Sequence, residues 1–203
     1  MGWYDAFSSF YDRSLEKLYR DARAAALDAL VAQPGERVLD LPTGTGQSLA
    51  GLAGAVGPDG KVLAVDLSKG MLRKAEARKT RLGLAQVATL RSDVHALDVA
   101  ALGGPVDRLH VFLGMSTFPE PDAAFERMWS VLRPGGRAVV VDVFSERLGF
   151  QGRMVNLVAR ADIRRRSWEP LEHRATAFSR RDLPSLKQHG GTLFLAVGDK
   201  PTA

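Results

Sequence analysis

An aspartate that leads into a glycine turn constrains this chain more than any other feature. An apolar run ends at Asp40, and the turn that follows it contains Gly44-Thr45-Gly46. Glycine tolerates positive φ and presents no Cβ to a ligand, and a helix that starts after such a turn directs unpaired N–H groups outward. The pattern therefore predicts a strand, a tight turn and a helix that together hold a nucleotide-like ligand.

A second aspartate ends the next apolar run. Asp66 follows Val62 to Val65, and a carboxylate at a strand end accepts hydrogen bonds from ribose hydroxyls. Dinucleotide-binding turns carry a third glycine where this chain has Leu49. A carboxylate buried in the first strand, as Asp40 would be, is costly without a donor or a cation, and it suits an ammonium better than a pyrophosphate. The two aspartates favour a ribose-bearing cofactor with an amino-acid group over a dinucleotide.

This arrangement resembles the first two motifs of class I S-adenosylmethionine-dependent methyltransferases. The resemblance implies S-adenosyl-L-methionine as the cofactor, with the turn at its methionine end and Asp66 at its ribose. Many relatives have Gly or Ala where this chain has Pro42, which lacks an N–H but keeps the carbonyl that a methionine ammonium needs. The cofactor-binding residues that the resemblance implies are Asp40, Pro42, Gly44, Gly46, Asp66, Leu67, Met71, Asp93, Val94 and Leu113.

Later segments keep the motif order of the same family. Asp93 and Val94 follow the third predicted strand, at the positions where the family contacts adenine. Leu-Arg-Pro-Gly-Gly at 132–136 is a family hallmark, in which the proline ends a helix and the glycines turn into the fifth strand. The resemblance spans residues 36–144 and continues more loosely to the chain end.

Strand and helix patterns alternate along the chain, which defines the expected fold. The alternation predicts an α/β, Rossmann-like, doubly wound domain with helices on both faces of a seven-stranded, mostly parallel sheet. The resemblance implies that one strand near the C-terminus is antiparallel. The predicted helices are 12–31, 47–56, 69–82 and 121–132, and the predicted strands are 38–41, 62–65, 87–90, 106–113, 138–141, 178–183 and 192–197. The predicted segments of this single domain are an N-terminal helical lid (1–32), a cofactor-binding core (33–144), a helical insert (145–175) and closing strands (176–203).

Composition excludes several classes of protein. The chain has no cysteine, which rules out disulfides, thiolate metal sites and cysteine nucleophiles, and we expect no metal ion. Its apolar runs are too short for a transmembrane segment, and its first residues do not read as a leader. We expect a cytoplasmic protein.

The net charge of +5 is concentrated toward the C-terminal part of the chain. Between Glu146 and Asp182 stand nine arginines and five acids. Such a surface predicts peripheral contact with anionic lipid or with nucleic acid, and the alternative is a solvated arginine-rich surface. Aromatic side chains do not alternate with the basic ones, which disfavours nucleic acid.

Two segments are candidates for the acceptor-binding wall. The N-terminal aromatics, among them Tyr4 and Tyr11, share one helical side. They resemble the N-terminal lid of quinone-biosynthesis C-methyltransferases and bacterial phosphatidylethanolamine N-methyltransferases, which makes both tyrosines catalytic candidates through contact with the sulfonium. The second segment is the insert, whose apolar stripe either shapes a lipophilic pocket or packs against the sheet. That stripe consists of Met154, Leu157, Val158 and Ala161.

Methyl transfer from a sulfonium is an in-line displacement, so the protein mainly aligns the reactants and excludes water. A general base is needed only for an acceptor that starts protonated. His173 in the insert is our candidate base, and a mechanism without a base is the alternative. We interpret His110 as a core residue. His95 follows the adenine motif, and His189 precedes a glycine turn.

The residues after the fourth strand restrict the acceptor. They read Phe112-Leu113-Gly114-Met115-Ser116, without the Asn/Asp-Pro-Pro-aromatic motif of methyltransferases that act on adenine or glutamine nitrogen. We therefore predict a methyltransferase for a small lipophilic acceptor, quinone-like or phospholipid. The alternatives are an RNA methyltransferase that uses the arginine-rich C-terminal region and a non-methylating S-adenosylmethionine-binding protein.

Overall fold

A computed structural model describes residues 16–202 of the chain. Seven strands form one sheet in the order β3-β2-β1-β4-β5-β7-β6. The strands are β1 (Arg37–Asp40), β2 (Lys61–Asp66), β3 (Val87–Arg91), β4 (Val106–Phe112), β5 (Leu132–Phe144), β6 (Thr176–Asp182) and β7 (Thr192–Asp199).

Strand direction confirms the predicted fold class. The strands from β1 to β5 pair in parallel, while β7 lies between β5 and β6 and runs antiparallel to both. All parallel strands therefore end at the same edge, which we call the carboxyl edge; the opposite one is the amino edge. Ligands of open α/β sheets bind at the carboxyl edge, where the order of the strands reverses.

Helices cover both faces of the sheet, as predicted. The α-helices whose bounds the structure describes are α1 (Arg20–Leu30), α2 (Leu49–Val56), α3 (Lys69–Leu82), α4 (Pro121–Val131), α5 (Phe150–Ala159) and α6 (Glu169–Arg174). Buried residues of α1, α2 and α3 pack on one face around Val38 and Val139. Those of α4 and α6 pack on the other face around Leu39 and Val140. Because neighbours along a strand point to opposite faces, the continuous apolar runs of β1 and β5 feed both cores.

The family turn at 132–136 takes a different form from the predicted helix end and turn. Helix α4 ends at Val131, and β5 begins at once. Val106 pairs with Leu132 and Arg108 with Arg137, so the intervening residues bulge out of the ladder. Gly135 has φ +71°, a backbone conformation that glycine adopts without a Cβ penalty. The turn is therefore a bulge inside the strand.

Helix α3 has the predicted bounds, and α1 covers the last part of the predicted helix 12–31. The predicted lid aromatics, Tyr4 and Tyr11 among them, lie outside the described residues. The division into lid, core, insert and closing strands stays a prediction.

None of the helices in the described part of the chain is both long enough and apolar enough to cross a bilayer.

Candidate functional site

The glycine turn lies at the carboxyl edge, between the ends of β1 and β2. The Thr43 N–H donates to the Val65 carbonyl at 2.8 Å, and the Gly46 N–H donates back to the Thr43 carbonyl at 3.0 Å. The first bond fastens the turn to β2, and the second closes it on itself. The predicted strand, turn and helix are therefore one hydrogen-bonded unit that positions the candidate site.

Asp66 holds the turn from the end of β2. Its Oδ2 accepts the Gly44 N–H and its Oδ1 accepts the Ser68 N–H, each at 2.8 Å. Burial raises the pKa of Asp66, the hydrogen bonds from Ser68 and Gly44 lower it, the nearby Asp40 raises it again, and the net shift is upward. A carboxylate oxygen has more than one lone pair, so each oxygen can accept a further hydrogen bond from a ribose hydroxyl.

The two glycines of the turn have different surroundings. Gly44 has φ +57° and Gly46 has φ +77°. A Cβ on Gly44 would have no atom within 4 Å, whereas a Cβ on Gly46 would lie 2.6 Å from Leu49 Cδ1 and 3.1 Å from Ala75 Cα. Gly44 thus leaves open space above the turn, and Gly46 lets α2 and α3 approach each other.

Asp40 supports the turn from below rather than from the open side. Its side chain is buried, its Oδ2 accepts the Thr43 hydroxyl at 2.6 Å, and its Oδ1 lies 2.7 Å from Nδ1 of His110. The predicted need for a donor or a cation is met by these two residues. Contact between Asp40 and a cofactor ammonium stays a prediction.

His110 is a core residue of β4, as we interpreted it, but not a fully satisfied one. Its ring is completely buried and stacks on Phe112 at 6.0 Å between ring centres. Its Nε2 makes no hydrogen bond with the residues that the structure describes. When Nδ1 donates to Asp40, the neutral ring keeps Nε2 as a buried acceptor.

The loop after β4 packs directly on the turn. The Leu41–Pro42 peptide is cis and Leu113 has φ +56°. A Cβ on Gly114 would lie 2.1 Å from Pro42 Cδ. Only a glycine therefore fits at position 114, because the proline ring occupies the space that a side chain would need.

The predicted adenine side lies at the ends of β2 and β3. Asp93 is exposed and its Oδ1 accepts the His95 N–H at 2.9 Å, while Val94 is buried at the start of a short 3₁₀ turn. Leu67 is 58% exposed, and the Met71 N–H donates to the Ser68 hydroxyl in the N-cap of α3. Strand order places these residues beside Asp66, on the side of the turn away from β4.

Sequence reasoning missed a buried carboxylate beneath the β4 loop. Asp142 in β5 accepts the Ser116 N–H at 2.8 Å and the Ser116 hydroxyl at 2.9 Å. Burial raises its pKa to about 6, although the hydrogen bonds from Ser116 and Val143 oppose this. The single sign of it in the sequence was an aspartate inside an otherwise apolar strand, which needs donors. Asp142 therefore anchors the loop between β4 and α4 through Ser116.

A second missed group comes from α1 and from Tyr19, the residue that caps its N-terminus. Tyr19 meets Phe112 edge-on at 6.2 Å and stacks on His189 at 4.9 Å. The Arg23 guanidinium lies 4.9 Å from the Phe112 ring centre and donates to Oε1 of Gln47, just after the turn. The spacing of Tyr19 and Arg23 on one helical face was visible in the sequence, but their partners in β4 were not. These residues form an aromatic and cationic wall beside the turn.

The predicted histidines lie apart from one another. His95 is exposed in the 3₁₀ turn that follows β3. Burial lowers the pKa of His189, which stacks on Tyr19. His173 is exposed on α6, just before Thr176, and strand register aligns Thr176 with Asp199 at the amino edge. The structure therefore does not bring His173 to the glycine turn, and a catalytic role for it stays a prediction. The other two catalytic candidates, Tyr4 and Tyr11, belong to the residues that are not described.

Together these residues fit a cationic nucleoside better than a phosphate. The turn is open above Gly44, and the carboxylates nearest to it, Asp66 and Asp40, would repel a pyrophosphate. A ligand with ribose hydroxyls and a positive charge matches both the hydrogen-bonding capacity and the sign of the charge.

Comparisons with known proteins agree with this chemistry. The ubiE/COQ5 methyltransferase family model matches residues 3–151. A demethylmenaquinone methyltransferase of Beutenbergia cavernae is 39% identical over 140 residues, which make up 68% of this chain and 52% of that protein. The ubiquinone/menaquinone biosynthesis C-methyltransferase UbiE of Bordetella parapertussis is 30% identical over 139 residues, 68% of this chain and 52% of that protein.

The fold has solved counterparts. A SAM-dependent methyltransferase from Aquifex aeolicus superposes with a TM-score of 0.64 at 21% identity, and the alignment covers 93% of this chain and 96% of that one. By contrast, this chain spans about half the length of the two curated quinone-biosynthesis relatives.

Proposed function

The chain belongs to the ubiE/COQ5 methyltransferase family, and from this premise we propose that it transfers a methyl group from S-adenosyl-L-methionine to a small lipophilic acceptor. The observation that carries the proposal is the Asp66 carboxylate, which accepts the Gly44 N–H of the open glycine turn and the Ser68 N–H at the start of α3. That geometry supplies a hydrogen-bond acceptor for hydroxyl groups and an unobstructed space in one place, with negative charge around it.

The cofactor would lie along the carboxyl edge. Asp66 would accept its ribose hydroxyls, Asp93 and Val94 would meet its adenine, and the Pro42 carbonyl would accept its ammonium. When bound, it supplies a methyl group that is activated by a sulfonium. The residues at this edge therefore need to align the acceptor and exclude water, and none of them has to form a covalent bond.

The acceptor would enter between the α1 wall and the loop after β4. Phe112 and Tyr19 give this side an aromatic surface, and Arg23 adds a positive charge next to Phe112. Such a surface fits a flat, electron-rich ring whose oxygen carries partial negative charge. We place a quinone-like acceptor first, because the relatives' names specify demethylmenaquinone, and a phospholipid second.

Calorimetric titration tests the cofactor first. We expect S-adenosyl-L-methionine to bind and NAD not to bind, since Leu49 replaces the third glycine of a dinucleotide turn. Binding of NAD alone, or of neither compound, would contradict the assignment of the turn.

A turnover assay then separates the three functions. We expect transfer of a labelled methyl group to a demethylated naphthoquinol. Strongly salt-dependent binding and methylation of tRNA, without quinol turnover, would favour the RNA methyltransferase. Tight cofactor binding without turnover on quinols, phospholipids or RNA would favour the non-methylating protein.

A further inference from the structure

Helix α5 carries an exposed apolar stripe. Phe150, Met154 and Leu157 recur at i, i+4 and i+7, which places them on one side of the helix. Their exposed fractions are 76%, 43% and 67%. Met154 and Leu157 therefore do not pack against the sheet, which was one of the two sequence-based interpretations of this stripe. Single exposed apolar residues are ordinary, but three on one helical side form a patch.

The opposite side of α5 fixes its orientation. A Cβ on buried Gly152 would lie 2.8 Å from the Gly190 carbonyl oxygen, and Val155 also faces Gly190. This close contact holds the inner side of the helix to the body of the protein. The stripe of Phe150, Met154 and Leu157, which we call the α5 face, consequently points away from it.

The α5 face lies at the carboxyl edge. Helix α5 follows the end of β5, and the Ser145 N–H donates to the Ile163 carbonyl at 2.9 Å, which closes the segment that contains α5 into a loop. The Asp162 N–H donates to the Ser116 carbonyl at 2.8 Å, which ties the insert to the loop after β4. The same edge of the sheet thus holds the glycine turn and the α5 face.

Exposed arginines flank the α5 face. From Glu146 to Glu169 the chain has six arginines and three acids, and three of these arginines form ion pairs with Asp162 and Glu169. Arg147, Arg153 and Arg160 are exposed close to the stripe. Exposed apolar side chains flanked by arginines complement a membrane surface, which offers anionic headgroups above an apolar interior.

We propose that the α5 face docks on an anionic lipid bilayer. Phe150 and Leu157 enter the headgroup and acyl boundary, and the flanking arginines contact lipid phosphates. Docking would bring the carboxyl edge to the layer in which a lipophilic acceptor dissolves. The approach to the acceptor rests on the proposed function, whereas docking itself does not. Vesicle binding measured without cofactor or acceptor therefore tests docking alone, and a failure of the proposed function would leave its result unchanged.

Vesicle flotation of the purified full chain tests the proposal. The vesicles contain phosphatidylcholine alone or phosphatidylcholine mixed with phosphatidylglycerol. We expect partition onto the anionic vesicles, and an at least about tenfold weaker partition for Phe150→Ser/Leu157→Ser, because burial of each side chain contributes substantially to binding. The matched control is Leu82→Ser/Val99→Ser, which removes two apolar side chains that are 45% and 39% exposed elsewhere and should leave partition unchanged.

The arginines have a separate test. Arg147→Gln and Arg153→Gln should each weaken partition onto anionic vesicles by about fivefold. Added salt should also weaken the partition of the wild type, because it screens the attraction between arginines and lipid phosphates.

Three results would overturn the proposal. The first is the absence of partition by the wild type, and the second is equal partition by the α5-face variant and the wild type. The third is a concentration-dependent dimer in analytical ultracentrifugation that Phe150→Ser/Leu157→Ser abolishes, since the α5 face would then be covered by a second copy of the chain. Circular dichroism of each variant verifies that it is folded.

Discussion

The pKa values of aspartates shift in opposite directions at the two edges of the sheet. At the carboxyl edge, burial raises the pKa of Asp66 and of Asp142, whose hydrogen bonds come from backbone N–H groups and from Ser116. At the amino edge, the Arg137 guanidinium lowers the pKa of Asp199 through two hydrogen bonds of 2.7 and 3.0 Å. One edge thus holds carboxylates among neutral dipoles, and the other pairs them with arginine.

This difference distinguishes the edge at which we place the cofactor from the edge at which ion pairs stabilise the fold. An arginine partner satisfies a carboxylate and leaves little attraction for a cationic ligand. Carboxylates held by neutral dipoles keep their negative potential, at a cost in desolvation. A positively charged sulfonium cofactor would be attracted by that negative potential. This attraction explains why carboxylates without arginine partners lie beside the glycine turn despite their desolvation cost.

The largest expected effect compares one glycine at each edge. Gly46→Ala and Gly135→Ala share positive φ, 77° and 71°. Only the first also drives a Cβ into Leu49 and Ala75, whereas at Gly135 the nearest atom is 3.4 Å away. We expect Gly46→Ala to lower the free energy of unfolding by roughly 3 kcal/mol and Gly135→Ala by about 1 kcal/mol, measured by urea denaturation. Equal losses would show that backbone strain alone sets the cost.

Asp142 predicts an unusual dependence of stability on pH. Its folded-state pKa of about 6 exceeds the ordinary 3.8, so the folded state favours the protonated form. The stability that this proton confers is complete below pH 4 and is lost as pH rises through 6. Relative to Asp142→Asn, the wild type should lose up to about 3 kcal/mol over this interval.

Denaturation of both proteins across pH 4–7 measures this difference. A wild type that gains stability over Asp142→Asn in the same interval would mean that the Ser116 hydrogen bonds outweigh burial.

The next largest effect is on cofactor affinity, which should depend on the aspartate at the carboxyl edge and not on the one at the amino edge. Asp66→Ala removes the predicted ribose acceptor and should weaken S-adenosyl-L-methionine binding by about 2 kcal/mol, the scale of hydrogen bonds to a charged group. Asp199→Ala removes a carboxylate at the amino edge and should leave affinity unchanged. Calorimetry measures both, and a melting curve confirms that each variant is folded. Unchanged binding in Asp66→Ala would contradict the ribose assignment.

The smallest effect concerns the amino-edge ion pair itself. Both side chains are about 30% exposed, so Asp199→Asn should lower the free energy of unfolding by less than about 1 kcal/mol at neutral pH. Because the folded pKa of Asp199 is lowered, this contribution is present above the ordinary pKa and disappears as pH falls through the folded value. A difference between wild type and variant that persists at the acid end would point to packing rather than charge.

The sequence by itself determined the order of elements and the identity of the turn. Asp40, Gly44, Gly46 and Asp66 were recognisable because strand ends, positive φ and ligand approach are local requirements that a few neighbouring residues meet. The parallel sheet followed from alternating strand and helix patterns, and the reversed strand near the C-terminus followed from the resemblance to the family. These features depend on contacts that are close in sequence or imposed by chain connectivity.

Only the tertiary structure decided which side chains share an environment. The bond from Asp40 to His110, the support of Ser116 by Asp142, and the contact of Arg23 with Phe112 each join distant segments. The same holds for His173. Its position in the sequence was compatible with a place near the site, but strand register puts it at the amino edge. Sequence patterns report the face of an element, but the partner across a packed interface depends on register and on helix orientation, which are settled when the whole core assembles.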